Sequence, residues 1–397
     1  MVERRHPRGG RAPARHAASG GRNVPRKVAR KAPGKGGGTA LAGAPGKVTG
    51  KATRPTILDV AAKAGVSLGT VSNVLNERGN VSVVRRDHVM QAIAALGYVP
   101  NGLAQSLRRK RSRVIGLCTP VSSNAYFAAL LEAFEDIAAA EGHELMQVLS
   151  RHDPALELRR VQALIARQVD GLILVPCTES AATFDAIDRA RLPAVMVDRA
   201  LPDTRFDYVT LDDRDATAQA TQALLDAGHR RLMFLMRYPN LVTTRERVRG
   251  FRDAVAAGGA TGEELVRDPD DARFAAALGA RLAAADRPTA LIASNSDLAL
   301  AILRVLRARG LRWPDDVSLV AFDAPAWADV LDPPLAVVRL PTRALAQRAW
   351  DVLQERIGRR NARRQRIVLR ATVELAGSVG APGAAGAGVR TRTRKVA

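Results

Sequence analysis

The chain has 397 residues, 47% hydrophobic and 25% charged, enough apolar material for two or three packed units, which excludes wholesale disorder. Its 61 Lys and Arg against 39 Asp and Glu give a net charge of +22, which suggests a polyanionic partner where the excess is localised. Two cysteines, Cys118 and Cys177, outside any paired spacing argue against a disulfide framework or a zinc site, and no apolar run approaches the roughly 20 residues of a membrane span; with no secretory leader, a soluble cytoplasmic protein is expected.

Residues 1–53 are rich in Gly, Pro, Ala, Arg and Lys with no apolar periodicity, so a disordered basic tail is expected. Glu3 is the single acid in residues 1–54, whose net charge is +13, a flexible arm suited to nonspecific DNA affinity. APGKGGGTA within it lacks the GK[ST] ending, the preceding strand and the following helix of a phosphate loop.

From Thr56 the pattern predicts three short helices. Thr56 and Asp59 have capping-box spacing before a face of Ile57, Val60, Ala61 and Ala64, and Gly65 breaks that helix. Ser67 can cap a second helix with Val71, Val74 and Leu75 inside, and a third is predicted from about Val83 to Leu96, before Gly97. Helix, tight Gly turn, helix and a closing third helix is the arrangement of a helix-turn-helix DNA reader. GVSLG also matches the nucleophile elbow G-x-S-x-G, but that motif needs a strand before the serine, so Ser67 is read as a cap.

After Arg113 short apolar runs alternate with amphipathic helices: VIGLC, ELMQVL, VDGLILV, LPAVMV, YVTL, RRLMFLM, TALIAS, VSLVAF and AVVRL, with a last helix from about Thr342 to Ile357. Near-continuous apolar strands between helices predict parallel sheets covered on both faces, and nine or ten strands suit two doubly wound subdomains better than one sheet. The expected fold is α/β, with a helix-turn-helix headpiece ahead of the two parallel-sheet subdomains.

Ligands of open parallel sheets bind at the carboxyl ends of the strands. Asn124 sits in the loop after VIGLC, Asp198 follows AVMV, Arg247 begins the helix after MFLM, Asn295 follows LIAS and Asp323 follows SLVAF. Acids and amides bracket hydroxyl groups, and Tyr126, Phe127 and Trp327 offer flat rings, so the set suits a polyhydroxylated ligand; two acids and an Arg favour a sugar or sugar acid over a purine. For each residue alone, a loop or helix cap is the competing reading. The six histidines have no metal-type pairing, His229 in DAGHRR reads as a helix-to-strand turn residue, and no Gly-rich phosphate loop follows a strand, so neither metal, cofactor nor enzymatic activity is expected.

Over residues 54–378 the sequence resembles the LacI/GalR family of bacterial transcription regulators. TILDVAAKAGVSLGTVSNVLN, then VS, then ALGYVPNGLAQSLRRKRS match its headpiece and hinge; VDGLILVP, VDR, RERVRGF, the Asn of LIASNSDLAL, and DDVSLVAFD with LDPPL match its effector core in order. The resemblance implies a headpiece over 54–100, a hinge helix and linker over 101–112 and a periplasmic-binding-protein-like core over 113–378; residues 379–397, with four bases and no acid, are expected to be a second disordered basic tail. It implies a homodimeric repressor on near-palindromic operator DNA, released or recruited by a small-molecule effector through a population shift. Its carry-over places Leu68, Gly69, Ser72 and Asn73 nearest the base edges, with Asn73 suited to adenine, and makes Thr56, Ser67, Thr70, Asn76 and Ser82 phosphate positioners or caps. Arg85 stands where the family usually has Thr. Asn101 and Gln105 fall in the hinge segment, and Leu107 aligns with the family's minor-groove wedge. The same carry-over puts Asp198, Arg247, Asn295 and Asp323 in the cleft between subdomains. A solute-binding protein and a sugar-acting enzyme are the competing readings. The headpiece opposes the first, and the missing acid/base pair opposes the second.

Overall fold

A computed structural model describes residues 55–76, 79, 81–99, 111–323 and 325–383. The expectations for the tail over 1–53, for Asn101, Gln105 and Leu107 of the hinge, and for the chain beyond 383 lie outside the described residues.

The described chain forms two compact units. The first is three helices: α1 (Ile57–Ala64), α2 (Leu68–Leu75) and α3 (Val83–Leu96). Asp59 N–H donates to Thr56 Oγ1 while Asp59 Oδ2 accepts from Thr56 N–H at 2.7 Å, completing the capping box. Gly65 and Gly97 end α1 and α3 in the left-handed region, with φ of 64° and 59°, where a side chain would be strained. Ser67 Oγ accepts from Thr70 N–H at 3.1 Å and so caps α2, with α1 rather than a strand before it. Val60, Ala61, Val71 and Val74 of the expected faces are buried with Val89 and Ala92 of α3, while Ile57, Ala64 and Leu75, also expected inside, are half-buried because so small a unit has little interior.

The second unit holds two six-stranded sheets. In the first subdomain β1 (Val114–Thr119), β2 (Glu144–Leu149), β3 (Gly171–Leu174), β4 (Ala194–Asp198), β5 (Asp207–Leu211) and β11 (Arg366–Leu369) run parallel in the order β11-β5-β4-β3-β1-β2. In the second, β6 (Arg231–Met236), β7 (Thr261–Val266), β8 (Ala290–Ala293), β9 (Ser318–Phe322), β10 (Ala336–Arg339) and β12 (Thr372–Glu374) take the matching order β12-β10-β9-β8-β6-β7, with β12 alone antiparallel. Three of these twelve strands escape the sequence pattern: β7, β11 and β12 lie at sheet edges, half exposed, and carry Gly, Glu, Arg and Thr where a buried strand would be apolar throughout.

The first sheet is covered by α4 (Ala125–Ala140), α5 (Pro154–Ala166), α6 (Ala181–Arg189) and α11 (Thr342–Gly358). The second is covered by α7 (Asp213–Asp226), α8 (Val242–Ala257), α9 (Asp271–Ala283) and α10 (Ser296–Ala308). Since α7 follows β5 but packs on the second subdomain, and α11 follows β10 but packs on the first, the chain crosses between subdomains near residues 212, 341 and 370. Gly250 of α8 permits the close approach of α7: a Cβ there would lie 2.0 Å from the Arg214 carbonyl oxygen. Packing continues two residues past the expected boundary at 378, because the His229 ring, 1% exposed, bonds Thr289 Oγ1, Ser318 Oγ and the Gly380 carbonyl at 2.9–3.0 Å. His229 is therefore a clamp on the C-terminal segment as well as a turn residue.

Candidate functional site

The carboxyl ends of the two sheets face each other across a cavity of about 250 Å³, lined by Asn124, Tyr126, Phe127, Asp198, Arg247, Asn295 and Asp323 among others. That is close to the lower end of ordinary small-molecule sites, about 300 Å³, and suits a ligand of monosaccharide size. Seven of the eight residues expected at a ligand site are thus brought together. The eighth, Trp327, is not: the chain turns at Pro325–Ala328, and the half-buried indole packs on the apolar core of the second subdomain, where its large surface is better covered.

Asp198 and Asp323, each 6% exposed, leave β4 and β9 in the left-handed region at φ 70°, so both carboxylates turn out of their sheets into the cleft. Asp198 Oδ1 accepts from the Tyr126 hydroxyl at 2.9 Å, and Asp323 Oδ2 accepts from Ser296 N–H and Oγ–H at 3.3 Å. Burial pushes the Asp323 carboxyl up, opposed by Arg247. The Tyr126 phenol lies well above its ordinary value, through burial and then through Asp198, Asp213 and Asp323.

Both asparagines cap helices, as the competing reading had it, and both still reach the cleft. Asn124 Oδ1 accepts from Tyr126 N–H at 3.0 Å while its amide donates across the cleft to Asp297 Oδ2 at 3.2 Å. Asn295 Oδ1 accepts from Leu298 N–H at 2.9 Å. Arg247 stands in the second turn of α8 rather than at its start, because the helix already begins at Val242; it donates through Nε to Asp213 Oδ1 at 2.6 Å and through Nη1 to the Ser294 carbonyl at 2.5 Å, and its guanidinium lies 3.9 Å above the Phe322 ring. Burial would lower its pKa, but Asp213 and Asp323 outweigh that, so it stays charged. Burial pushes Asp213 up to about 6 against the pull of Arg247.

Four further residues near strand ends face the cavity, although none was expected there. Arg237 and Tyr238 directly follow β6, Arg199 directly follows β4, and His152 lies in the loop after β2; all four line the cavity. The His152 and Tyr238 rings meet across the cleft at 4.5 Å between centroids, and the Arg237 guanidinium sits 5.2 Å over the Tyr238 ring. Asp213, two residues after β5, does not line the cavity itself but acts from behind Arg247 as the first residue of a helix. Among the described residues no three His, Cys, Asp or Glu are grouped to hold a metal, and no helix is long and apolar enough to cross a membrane.

In the three-helix unit Leu68, Gly69 and Asn73 of α2 are exposed and Ser72 is half-buried beside them, the outward face of the second helix of a helix-turn-helix. Arg85 is exposed on α3, and Ser82 precedes α3 without a side-chain capping bond. The oxygens of Thr56, Ser67 and Thr70 are joined in the local capping contacts, Ser67 Oγ to Thr70 Oγ1 at 3.0 Å.

Residues 56–101 match a family described as bacterial regulatory proteins, lacI family, and residues 221–379 match a periplasmic binding protein-like domain. The HTH-type transcriptional regulator DegA of Bacillus subtilis (strain 168) is 32% identical over 325 residues, 80% of this chain and 95% of that protein. A solved complex of the transcriptional regulator CelR with cellobiose is 30% identical, with a TM-score of 0.61 over 82% of this chain and all of that one. The lac repressor dimer bound to operator and the anti-inducer ONPF is 26% identical, with a TM-score of 0.73 over 83% of this chain and all of that one.

Proposed function

The chain belongs to the LacI family of bacterial regulatory proteins, DNA-binding transcriptional regulators rather than enzymes, and we propose that it is a repressor controlled by a small polyhydroxylated effector, a sugar or sugar acid, bound between the two core subdomains. The observation that carries this reading is the convergence of Asp198, Asp323 and Asn295, from three strand ends, and of Arg247, from α8, on one cavity of monosaccharide size. Carboxylate and amide oxygens accept from sugar hydroxyls while the guanidinium donates to them. That CelR is solved with cellobiose is in keeping with such a ligand.

On this reading two copies of the chain place their α2 helices on the halves of a near-palindromic operator, with Leu68, Gly69, Ser72 and Asn73 toward the bases. Thr56, Ser67, Thr70, Asn76, Ser82 and Arg85 face the phosphates, and Asn101, Gln105 and Leu107 act at the centre of the site. The linker is tied to the first subdomain: Asp170 accepts from Ser112 N–H and Arg113 N–H at 2.7 and 2.8 Å. Effector that closes the cleft moves the subdomain bearing that anchor, and operator affinity changes by the effector's preference for one state. The protein works in the cytoplasm, where its DNA lies.

The test selects operator DNA from a random pool with the full chain, then follows its affinity by fluorescence anisotropy as sugars and sugar acids are added. A recovered near-palindrome whose affinity shifts with one of them is expected. A site without two-fold symmetry, or affinity indifferent to every ligand that binds the protein, would overturn the reading.

A further inference from the structure

The charges of the cleft are not mixed evenly, and this matters for what it can hold. Around Tyr126 stand the carboxylates of Asp198, Asp213 and Asp323, which raise its pKa. Around His152, across the cavity, stand the guanidinium groups of Arg199 and Arg237; burial first and then these two cations hold its imidazole down at about 4, so it is neutral near pH 7. Carboxylates thus gather around Tyr126, with Arg247 among them, and guanidinium groups around His152, with Asp198 beside Arg199.

The wall around His152 also holds unpartnered polar atoms. Arg199 is 3% exposed, and its Nη1 donates to the Pro176 carbonyl at 3.0 Å. Its Nε stands 3.6 Å from Asp198 Oδ2, beyond a good hydrogen bond, and has no hydrogen-bond partner. His152 Nδ1 is likewise buried without a partner. Arg237, at the mouth, stacks on Tyr238, and no ion pair joins it to a carboxylate among the described residues. A buried polar atom left without a partner costs about 1–3 kcal/mol, more when charged, so this wall carries hydrogen-bonding capacity that the protein's own groups leave unused. The loop that carries His152 is itself held unusually: Arg151 and His152 both adopt positive φ, 54° and 60°, which non-glycine residues seldom do in succession.

We propose that this wall, formed by Arg199, Arg237 and His152, binds the anionic group of the effector, so that the ligand is a hydroxylated acid of monosaccharide size, its carboxylate or phosphate here and its hydroxyls toward Asp198, Asp323 and Asn295. The proposal rests on the polyhydroxylated effector of the proposed function and narrows it. A fork of N–H groups meets an oxyanion in charge-assisted bonds, whereas a neutral hydroxyl would leave the Arg237 charge without an ion-pair partner.

The test measures thermal midpoints and calorimetric affinities of the full chain with D-glucose, D-galactose, D-glucuronate, D-galacturonate, D-gluconate and D-glucose 6-phosphate, for the wild type and for Arg237→Gln and Arg237→Lys. Arg237 is exposed, so neither variant removes buried packing. At least one acid is expected to bind about tenfold or more tightly than its neutral parent, with Arg237→Gln erasing that preference and Arg237→Lys keeping part of it. The 6-phosphate arm against the carboxylate arms tells which anion the wall takes. Neutral sugars that bind as well as their acids, in wild type and Arg237→Gln alike, would overturn the anionic wall and leave the sugar reading standing. Acid preference untouched by Arg237→Gln would overturn the assignment to this wall. Silence of every ligand, neutral and acidic, would overturn the sugar or sugar-acid effector and the anion with it.

Discussion

Asp198 and Asp323 are structural counterparts: each stands at the carboxyl end of the third strand in from the crossover edge of its sheet, each has φ of 70°, and each is 6% exposed with its carboxylate in the cleft. The two halves of the core repeat one topology, and the repeat delivers one carboxylate from each side. Aspartate tolerates the left-handed region because its short polar side chain bonds locally, whereas a β-branched residue there is strained. Asp198→Asn and Asp323→Asn are expected to hold the thermal midpoint near that of wild type, and Asp323→Val to lose about 1–2 kcal/mol from backbone strain alone, read by urea denaturation. Equal losses in Asn and Val variants would show that the backbone conformation is not what the aspartate supplies.

Arg247 and Asp213 form a buried pair whose distance is set by a glycine. Gly250 lets α8 close on the first turn of α7, and that approach brings Arg247 to 2.6 Å from Asp213. Removing the cation alone leaves a buried carboxylate, so Arg247→Met is expected to cost about 3–5 kcal/mol, with Asp213→Asn in the same chain recovering most of it. Gly250→Ala meets backbone and is expected to cost at least about 1–3 kcal/mol through the forced separation of the helices. A midpoint unchanged by Gly250→Ala would contradict the close crossing.

Asp213 and His152 pull stability in opposite senses as pH changes. Asp213 is raised to about 6, so the folded state holds its proton more tightly than the unfolded chain, and its contribution falls as pH rises from about 4 to 6. His152 is lowered to about 4, so the unfolded chain takes the proton first, and stability is lost as pH falls from about 6.5 to 4. Wild type is therefore expected to show a shallow dependence over pH 4–6. Asp213→Asn should make stability rise with pH there, and His152→Asn should make it fall, both read from urea midpoints across the range. Curves tilting the same way in both variants would refute the assignment.

For DNA, base reading and charge should separate. Asn73→Ala is expected to lose about 1–3 kcal/mol of discrimination at one base pair and to leave the salt slope of binding unchanged. Deleting residues 1–53, which carry most of the +13 of the N-terminal end, should flatten that slope and weaken nonspecific binding with the operator sequence unchanged. Footprints and affinities from 50 to 200 mM salt distinguish the two.

Much of this was legible along the chain because it is local or periodic. Thr56 with Asp59, Gly65, Ser67 and Gly97 mark the three-helix unit through capping and left-handed geometry, which depend on neighbours three or four residues away. Runs such as VIGLC and SLVAF mark strands buried on both faces, and the residues after them, Asn124 and Asp323, mark the ligand end. The half-exposed edge strands β7, β11 and β12 give no comparable run.

The charge distribution, too, is a property of sequence: the excess of +22 lies in the termini, the headpiece and the hinge, and residues 114–378 are close to neutral. Tertiary structure alone decided how that near-neutrality is arranged. Asp213 lies 34 residues before Arg247 in the chain and meets it only because Gly250 lets two helices cross closely. His152 and Tyr238 meet only because two sheets face each other, and Trp327, well placed in sequence, turns away into apolar packing. Spacing along a chain records which residues share an element. Which elements face one another, and hence where like charges gather and donors go unpaired, is set by packing at long range.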